Sequence, residues 1–450
     1  MKKAFSFLVI AVLCLAIILP ASADTLHLYR IDYDGVETFQ ALHPELQCTW
    51  SEQDYHNDYE LSSALLTGEF DSDVYNLDSI FFDCKQFMKK GYCVDLSESE
   101  IIREEIAKMH PSIAAQVMQD DKIYAIPFFL SFDFRIVDAE GWTAAGFSEA
   151  DVPTSFPEFL DFLSAWVDRI ENNPEPNISI NNRWDETLYN EYSYTGWLTN
   201  MLMENYIMQL QFAGQPLRFN NDELISLLNR VQEVGAAIYR SEPITKGKMQ
   251  LFSEVASNRW PDTMDDGIVF LRINDTQPQL IKSYMSMYAI YPGTAHEDLA
   301  MALMEHLVTN IPESDSALIY CDAEPVPNPN YESELARVSG NIARTEEALQ
   351  NSDLGLDEIE TLELALQSYQ KVLEGVESRK YLMSSEQLQS YQSYVDALYF
   401  PVPGIFFRGT DEGWTMAQMQ DQFAAGLLSA QEFVQKMDHL AEMVEMENAD

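Results

Sequence analysis

The chain has 450 residues, 73 of them acidic and 27 basic, for a formal net charge of −46 at neutral pH. Such a charge repels phosphate backbones and anionic lipid surfaces, which excludes nucleic acid as a partner and says little about a neutral ligand. A chain of this length exceeds what one hydrophobic core supports, so two lobes are expected.

In chain order, residues 1–23 read as an export signal. Lys2 and Lys3 form a positive start, Phe5 to Ile18 an apolar run, and Pro20-Ala21-Ser22-Ala23 a small-residue cleavage site before Asp24. The apolar run is shorter than the roughly 20 residues of a spanning helix, and no later stretch is long and apolar enough to cross a bilayer. Cys14 follows bulky Leu13, so no lipid-attachment motif is found. The expected location is therefore periplasmic or extracellular. Leu26 to Ile31 then reads as a strand, Val36 to Leu46 as a helix, and Gln47 to Trp50 as a second strand. Tyr59 to Leu66 is a helix ending at Gly68, Asp73 to Asp78 a buried strand, and Ile80 to Lys90 a helix stopped at Gly91. This alternation predicts an α/β fold with a mostly parallel sheet. Ligands of such sheets sit beyond the carboxyl ends of the strands, which makes Asp32, Tyr33, Asn76 and Asp78 candidate site residues.

From about residue 136 to 265 the chain is richer in helices. Pro153-Thr154-Ser155-Phe156-Pro157-Glu158 opens one, with Phe159, Leu160, Leu163 and Trp166 on a single face. Asp222 to Tyr239 is amphipathic, and residues 172–200 between these helices read as irregular. Over residues 331–376 the spacing changes. Leu335, Val338, Ile342, Thr345 and Leu349 recur at three and four residues, as do Ile359, Leu362, Leu366, Tyr369, Leu373 and Val376. The two runs predict an antiparallel helical hairpin packed along one seam, an elaboration of the scaffold. Gly426 ends a helix, and Ser429-Ala430-Gln431-Glu432 caps the last one, with Phe433, Met437 and Leu440 on its apolar face. Cys48, Cys84, Cys93 and Cys321 allow three complete pairings. Cys84 with Cys93 is the most local of them, and buried free thiols are the alternative.

Five segments in order carry a resemblance. Asp73-Val74-Tyr75, Lys90-Gly91-Tyr92-Cys93-Val94-Asp95-Leu96 and Asp121-Lys122-Ile123-Tyr124-Ala125-Ile126-Pro127-Phe128 come first. Trp142-Thr143-Ala144-Ala145-Gly146-Phe147, leading to Pro153-Thr154-Ser155-Phe156-Pro157-Glu158, and Gly426 to Glu432 complete the set. They resemble segments of the family 1 extracellular solute-binding proteins of ABC importers, the maltose-binding-protein-like group. The resemblance implies a two-lobed periplasmic-binding-protein-like fold with a hinge, closing around a small solute. It implies lobe one from 24–132 with a return at 268–322, and lobe two from 136–265 with most of 385–450. The hairpin at 331–376 would be an insertion. It implies a monomer without cofactor that delivers a sugar or oligosaccharide to the transmembrane subunits of an ABC permease.

A sugar presents apolar C–H faces edged by hydroxyls, so its site needs aromatic platforms with polar groups at the margins. Trp184, Tyr192 and Trp197 sit in the 172–200 stretch beside Asn181, Arg183 and Asp185; Phe128 and Phe129 follow Pro127 at the expected hinge. Tyr288 flanks a return strand, and Phe407, Arg408 and Trp414 follow Pro401 and Pro403 in an expected loop. Each of these aromatic residues has ordinary packing as its alternative. The chain contains no GxSxG, HExxH, P-loop or GxGxxG motif, so no catalytic or metal residues are assigned. Two carboxylates suffice for a glycosidase, which leaves a secreted carbohydrate-active enzyme as one alternative. A surface adhesion protein reusing the same fold is the other.

Overall fold

The computed structural model describes residues 24–55, 58–172, 178–180, 193–241, 249–258, 260, 267–350, 355–402 and 411–447. The expected export signal, with Trp184, Tyr192, Phe407 and Arg408, lies outside the described residues.

One eight-stranded sheet organises the chain. Its strands are β1 (Thr25–Tyr29), β2 (Gln47–Trp50), β3 (Val74–Asp78), β4 (Ile126–Val137), β5 (Phe252–Ser257), β6 (Ile268–Val269), β7 (Ile281–Ile290) and β8 (Leu398–Tyr399). The order is β6-β4-β7-β3-β1-β2, with β5 beside β4 and β8 beside β7. β1 is parallel to β2 and β3, as the alternating pattern at the N-terminus requires. The connecting helices are α1 (Tyr33–Leu42) and α2 (Asp58–Thr67). Gly68 at φ 74° and Gly91 at φ 76° end the helices that precede them, in a conformation that a Cβ disfavours. The third helix, α3 (Cys84–Lys89), starts four residues later than the apolar run suggests. Asp83 accepts a hydrogen bond from the Gln86 amide and fixes the start there.

The rest of the sheet corrects the expectation of a mostly parallel one. β7 is antiparallel to both β3 and β4, and β5 and β6 are antiparallel to β4. β4 and β7 are 12 and 10 residues long and pair antiparallel along most of their length.

Two hydrophobic cores flank this sheet. The first gathers Leu28, Leu77, Phe132, Phe134, Met285, Met287, Leu303 and Tyr391, the second Phe156, Phe159, Trp166, Leu202, Val231, Phe433 and Met437. Each fully buried aromatic or aliphatic side chain contributes about 1.5–3 kcal/mol. Residues 268–273 lie between the cores and alternate: Ile268 and Phe270 enter the first, Val269, Leu271 and Ile273 the second. The C-terminal segment divides between them as well. Leu388 and Tyr391 join the first core; α10 (Asp411–Ala424) and α11 (Ala430–Glu447) supply Met416, Phe433 and Met437 to the second. The capping box before α11 forms as read, with Ser429 and Glu432 exchanging hydrogen bonds at 2.9 and 3.2 Å.

The second lobe is built on α4 (Phe156–Asn172), α5 (Ser193–Phe212) and α6 (Asp222–Ser241), while α7 (Glu297–Thr309) returns to the first core with Leu303 and Met304. α5 overlaps the stretch expected to be irregular. Leu198, Met201, Leu202, Met203 and Ile207 are all buried, so its apolar residues follow no single stripe.

The helical pair appears as α8 (Tyr331–Leu349) and α9 (Leu356–Glu377), which pack on each other. Val338, Thr345 and Val376 of the expected seam are buried, and the other seam positions are half-buried. Neither Val338 nor Val376 belongs to either core. The base is closed by Val326–Pro327 pairing with Tyr381–Met383 and by the Asn328 side chain donating to the Arg379 carbonyl at 2.8 Å.

Among the described residues, Cys48, Cys84, Cys93 and Cys321 carry thiols and form no disulfide; the Cys84–Cys93 bridge does not form. Cys93 lies 3.3 Å from the Tyr75 hydroxyl, and burial pushes its thiol up to about 12. Its role is that of a small apolar residue.

Because the hairpin packs on itself and its base is closed by a strand pair, replacing residues 331–377 with a short Gly-Ser linker should leave the two-lobed body folded. Circular dichroism and thermal melting should show a cooperative transition within about 5 °C of the full chain. Loss of the transition would mean that the hairpin supports the body.

Candidate functional site

Side chains of a strand alternate between faces, and directly paired residues share one. On β7, Lys282, Tyr284, Ser286 and Tyr288 therefore point one way. Across β4, Lys282, Tyr284 and Ser286 are paired with Asp133, Ser131 and Phe129; a bulge then shifts the register and brings Tyr288 opposite Ile126, and across β3 Ser286 and Tyr288 meet Asp78 and Asn76. Two residues on from Asp133, Arg135 pairs with Glu254 of β5. The opposite face carries Leu130, Phe132, Phe134, Met285 and Met287 into the first core. A polar stripe thus runs along one face of the crossing strands, turned toward α5 of the second lobe.

At its centre, the Lys282 ammonium lies 2.9 Å from Asp133 and 3.3 Å from Glu204 of α5. Its side chain is 10 % exposed, Asp133 36 % and Glu204 25 %. Burial alone would lower the lysine, but the Glu204 and Asp133 carboxylates override it and hold the ammonium well above the usual range. Further along, Arg135 donates to Glu254 at 2.5 Å, and its guanidinium sits 5.7 Å from the centre of the Trp197 ring. Burial pulls the Arg135 guanidinium below its ordinary value. The Arg135 Nε and the Trp197 Nε1 are both buried and lack a hydrogen-bond partner among the described residues.

At the other end, Asp78 accepts from the Ile80 amide at 3.0 Å and from the Ser286 hydroxyl at 3.2 Å. Burial nevertheless raises its carboxyl above the ordinary value. Phe128 stacks on Tyr288 with centroids 3.8 Å apart and planes 11° from parallel. The Tyr288 hydroxyl accepts from the Asp32 amide at 3.2 Å, and burial pushes it far above the normal phenol range. The Asn76 Oδ1 is buried without a partner among the described residues.

The structure thus brings Asp32, Asn76, Asp78, Phe128, Phe129 and Tyr288 together at one end of the stripe, and Trp197 at the other. Trp197 belongs to α5, not to a loop. Tyr33 is 58 % exposed and stacks on Trp50 at 5.2 Å. Tyr288 is only 2 % exposed, with its ring against Phe128, so it packs the strand junction. Trp414 is helical, on α10, and 58 % exposed, which corrects its placement in a loop. No group of three or more metal-binding side chains occurs among the described residues.

No family model matches the chain, and no curated protein matches it. A cyclic alpha-maltosyl-1,6-maltose binding protein from Arthrobacter globiformis matches with a TM-score of 0.53 at 13 % identity, over 94 % of this chain and 98 % of that one. A structure concerned with xylan utilization by the thermophilic bacterium Caldanaerobius polysaccharolyticus matches with a TM-score of 0.50 at 13 % identity, over 92 % and 99 %. A family 1 extracellular solute-binding protein from Bifidobacterium longum subsp. infantis gives 0.49 at 12 %, over 94 % and 100 %. The chain has the two-lobed fold of the extracellular solute-binding proteins.

Within the solute-binding fold, Ser131, Asp133, Arg135, Glu204, Glu254, Lys282 and Tyr284 escaped the sequence reading. A signal was present: Ser131, Asp133 and Arg135 alternate with Leu130, Phe132 and Phe134, and Lys282, Tyr284 and Ser286 alternate with Ser283, Met285 and Met287. Such alternation ordinarily marks a solvent-facing sheet. Only the second lobe turns that face into an interior surface.

Two tests follow from these charges. Lys282→Met leaves two facing carboxylates without their counter-ion and should cost about 3 kcal/mol in urea unfolding, near the low end for a broken buried pair because Asp133 is partly exposed. A loss below about 1 kcal/mol would mean that solvent already screens the triad. Asp78→Asn should act with the opposite sign. The folded-state value of Asp78 is raised, so the stability linked to it is complete below the unfolded value of about 3.9 and is lost as pH rises through the folded one. The asparagine variant should therefore melt higher than the parent near pH 7, with the difference vanishing below about pH 3. An equal difference at both pH values would rule out the carboxylate charge as its cause.

Proposed function

We propose that the protein is an exported solute-binding protein that captures a carbohydrate between its lobes and delivers it, chemically unchanged, to an ABC-type permease. The observation that carries this reading is the half-buried polar stripe on β4 and β7. A folded interior rarely leaves buried donors and acceptors unmatched, yet along the stripe the Arg135 Nε, the Trp197 Nε1 and the Asn76 Oδ1 have no partner among the described residues. The two donors lie at the Trp197 ring and the acceptor at the other end of the stripe, groups of the kind that a hydroxyl-rich, apolar-faced ligand requires.

Three further points support the reading. The N-terminal pattern of Lys2, Lys3 and the apolar run suits export. No helix among the described residues is long and apolar enough to cross a membrane. The Arthrobacter globiformis neighbour is, by its name, a binding protein for cyclic alpha-maltosyl-1,6-maltose. In this role the protein is a monomer, closes its lobes around the solute, and presents both lobes to the permease's transmembrane subunits. Asp32, Asn76, Asp78, Phe128, Phe129 and Trp197 are the residues assigned to the ligand cleft.

The test is a thermal-shift screen over mono- and oligosaccharides, polyols, amino acids and peptides, with chromatography of the saccharides after incubation. Saturating sugar should raise the melting temperature through mass action, by about 2.7 kcal/mol of stabilisation at one hundred times Kd, with the sugar recovered intact. Hydrolysis products, or a shift produced only by amino acids or peptides, would overturn the assignment.

A further inference from the structure

Away from the cleft, one pair of side chains has a nucleophilic chemistry that solute binding does not use. Cys48, Cys84 and Cys93 are buried, whereas Cys321 is exposed. Met109 and Tyr320 form an antiparallel bridge, on either side of which the His110 amide donates to the Ile319 carbonyl and the Cys321 amide to the Lys108 carbonyl, both at 3.0 Å. That pairing brings the Cys321 Sγ to 3.6 Å from the His110 Nδ1. His110 is only 6 % exposed, and its Nε2 is buried without a partner among the described residues. Packing holds the ring instead, edge-on to Tyr391 with centroids 5.7 Å apart. Burial lowers the imidazole against the upward pull of the Asp396 carboxylate, so near neutral pH it is uncharged and able to take a proton. Lys108, Tyr320 and Asp322, the neighbours of Cys321, line an open groove of about 540 Å³, which Val326 and Pro327 line as well, at the foot of the hairpin.

We propose that Cys321 is a site of covalent modification by small disulfides, with His110 as its base. The thiol gives its proton to the His110 Nδ1, and the thiolate attacks one sulfur of the disulfide. A Cys321–S–S–R bond forms as the S–S bond of the reagent breaks, and the departing thiolate takes the proton from the imidazolium and leaves as RSH. The Cys321 sulfur is oxidised and the departing sulfur reduced, so the electrons balance without another oxidant. The groove gives the incoming group room.

The other thiols do not compete. Burial raises that of Cys48 and pushes that of Cys93 up to about 12, and no small reagent reaches a buried sulfur without local unfolding. The chain's charge of −46 slows encounter with an anionic disulfide, so a cationic one reacts faster. None of this depends on the solute that the cleft takes.

The experiment incubates the full-length protein at low ionic strength with cystamine, a cationic disulfide, or with oxidised glutathione, an anionic one. Mass spectrometry of the intact chain and its peptides counts and locates the adducts. The parent should gain one cysteamine group, on Cys321, and Cys321→Ser none. Relative to the rates with N-acetylcysteine amide, cystamine should react at least about tenfold faster than oxidised glutathione. Between pH 8 and pH 7 the parent rate should fall less than about threefold, because uncharged His110 takes the proton at both values. His110→Gln should react about tenfold more slowly at pH 7, and its rate should fall about eightfold over that interval, as for an unassisted thiol ionising near 8.5. An eightfold fall in the parent, which needs no variant to fold, would overturn the role of His110. No adduct on the native parent, or adducts on Cys48, Cys84 or Cys93 as fast as on Cys321, would overturn the site. Equal relative rates with the two reagents would overturn the charge preference.

Discussion

The Lys282 ammonium, closed in between Asp133 of the neighbouring strand and Glu204 of the second lobe, is the contact on which the arrangement of the two halves depends. An isolated ammonium at that depth is too costly to keep charged, and one carboxylate would leave part of its charge unmet. The second carboxylate comes from α5. One buried lysine therefore ties β7 to β4 on one side and to a helix of the other core on the other. The same helix holds the other crossing segments. The Gln209 side chain donates to the Pro278 carbonyl at 3.0 Å, and Gln211 both accepts from the Val402 amide at 3.2 Å and donates to its carbonyl at 3.4 Å.

The crossing strands can serve two masters because a strand has two unlike faces. Leu130, Phe132 and Phe134 bury one face of β4 in the first core, while Ser131, Asp133 and Arg135 turn the other toward α5. Residues 268–273 use the same period with apolar side chains on both faces, and so join two cores directly. One segment is a dry weld between the lobes. The other is a polar seam, where contacts can be exchanged for those of a ligand.

The parts legible in the sequence are those whose pattern is set locally. The parallel edge of β1, β2 and β3 with its glycine stops, the Ser429–Glu432 cap and the seam of α8 and α9 each rest on residues a few positions apart. What escaped depends on partners distant in the chain. α5 shows no stripe because it is covered on several sides, so Trp197 looked like a loop residue. Asp133 and Lys282 looked like solvent-facing positions, since nothing within either strand announces a second lobe above them. Trp414 was read from the prolines before it, whereas the packing of α10 on α5 and α11 makes it helical. Cys84 and Cys93 are close in sequence, yet each is buried as a thiol in the first core.

The stripe divides its labour along its length. In the middle, around Lys282, the charges are matched between the two lobes, and the result is cohesion. Toward the ends, Arg135, Trp197 and Asn76 keep polar atoms without partners among the described residues, which withholds part of the hydrogen bonding that this surface could make. A ligand that supplies those missing partners touches β3 and β4 on one side and α5 on the other. Its binding free energy is then larger when the two halves are close than when they are apart. That difference, and not any new contact between the lobes, is what would draw such a molecule shut around its solute. The matched centre limits how far the halves separate, and the unmatched ends determine what brings them together.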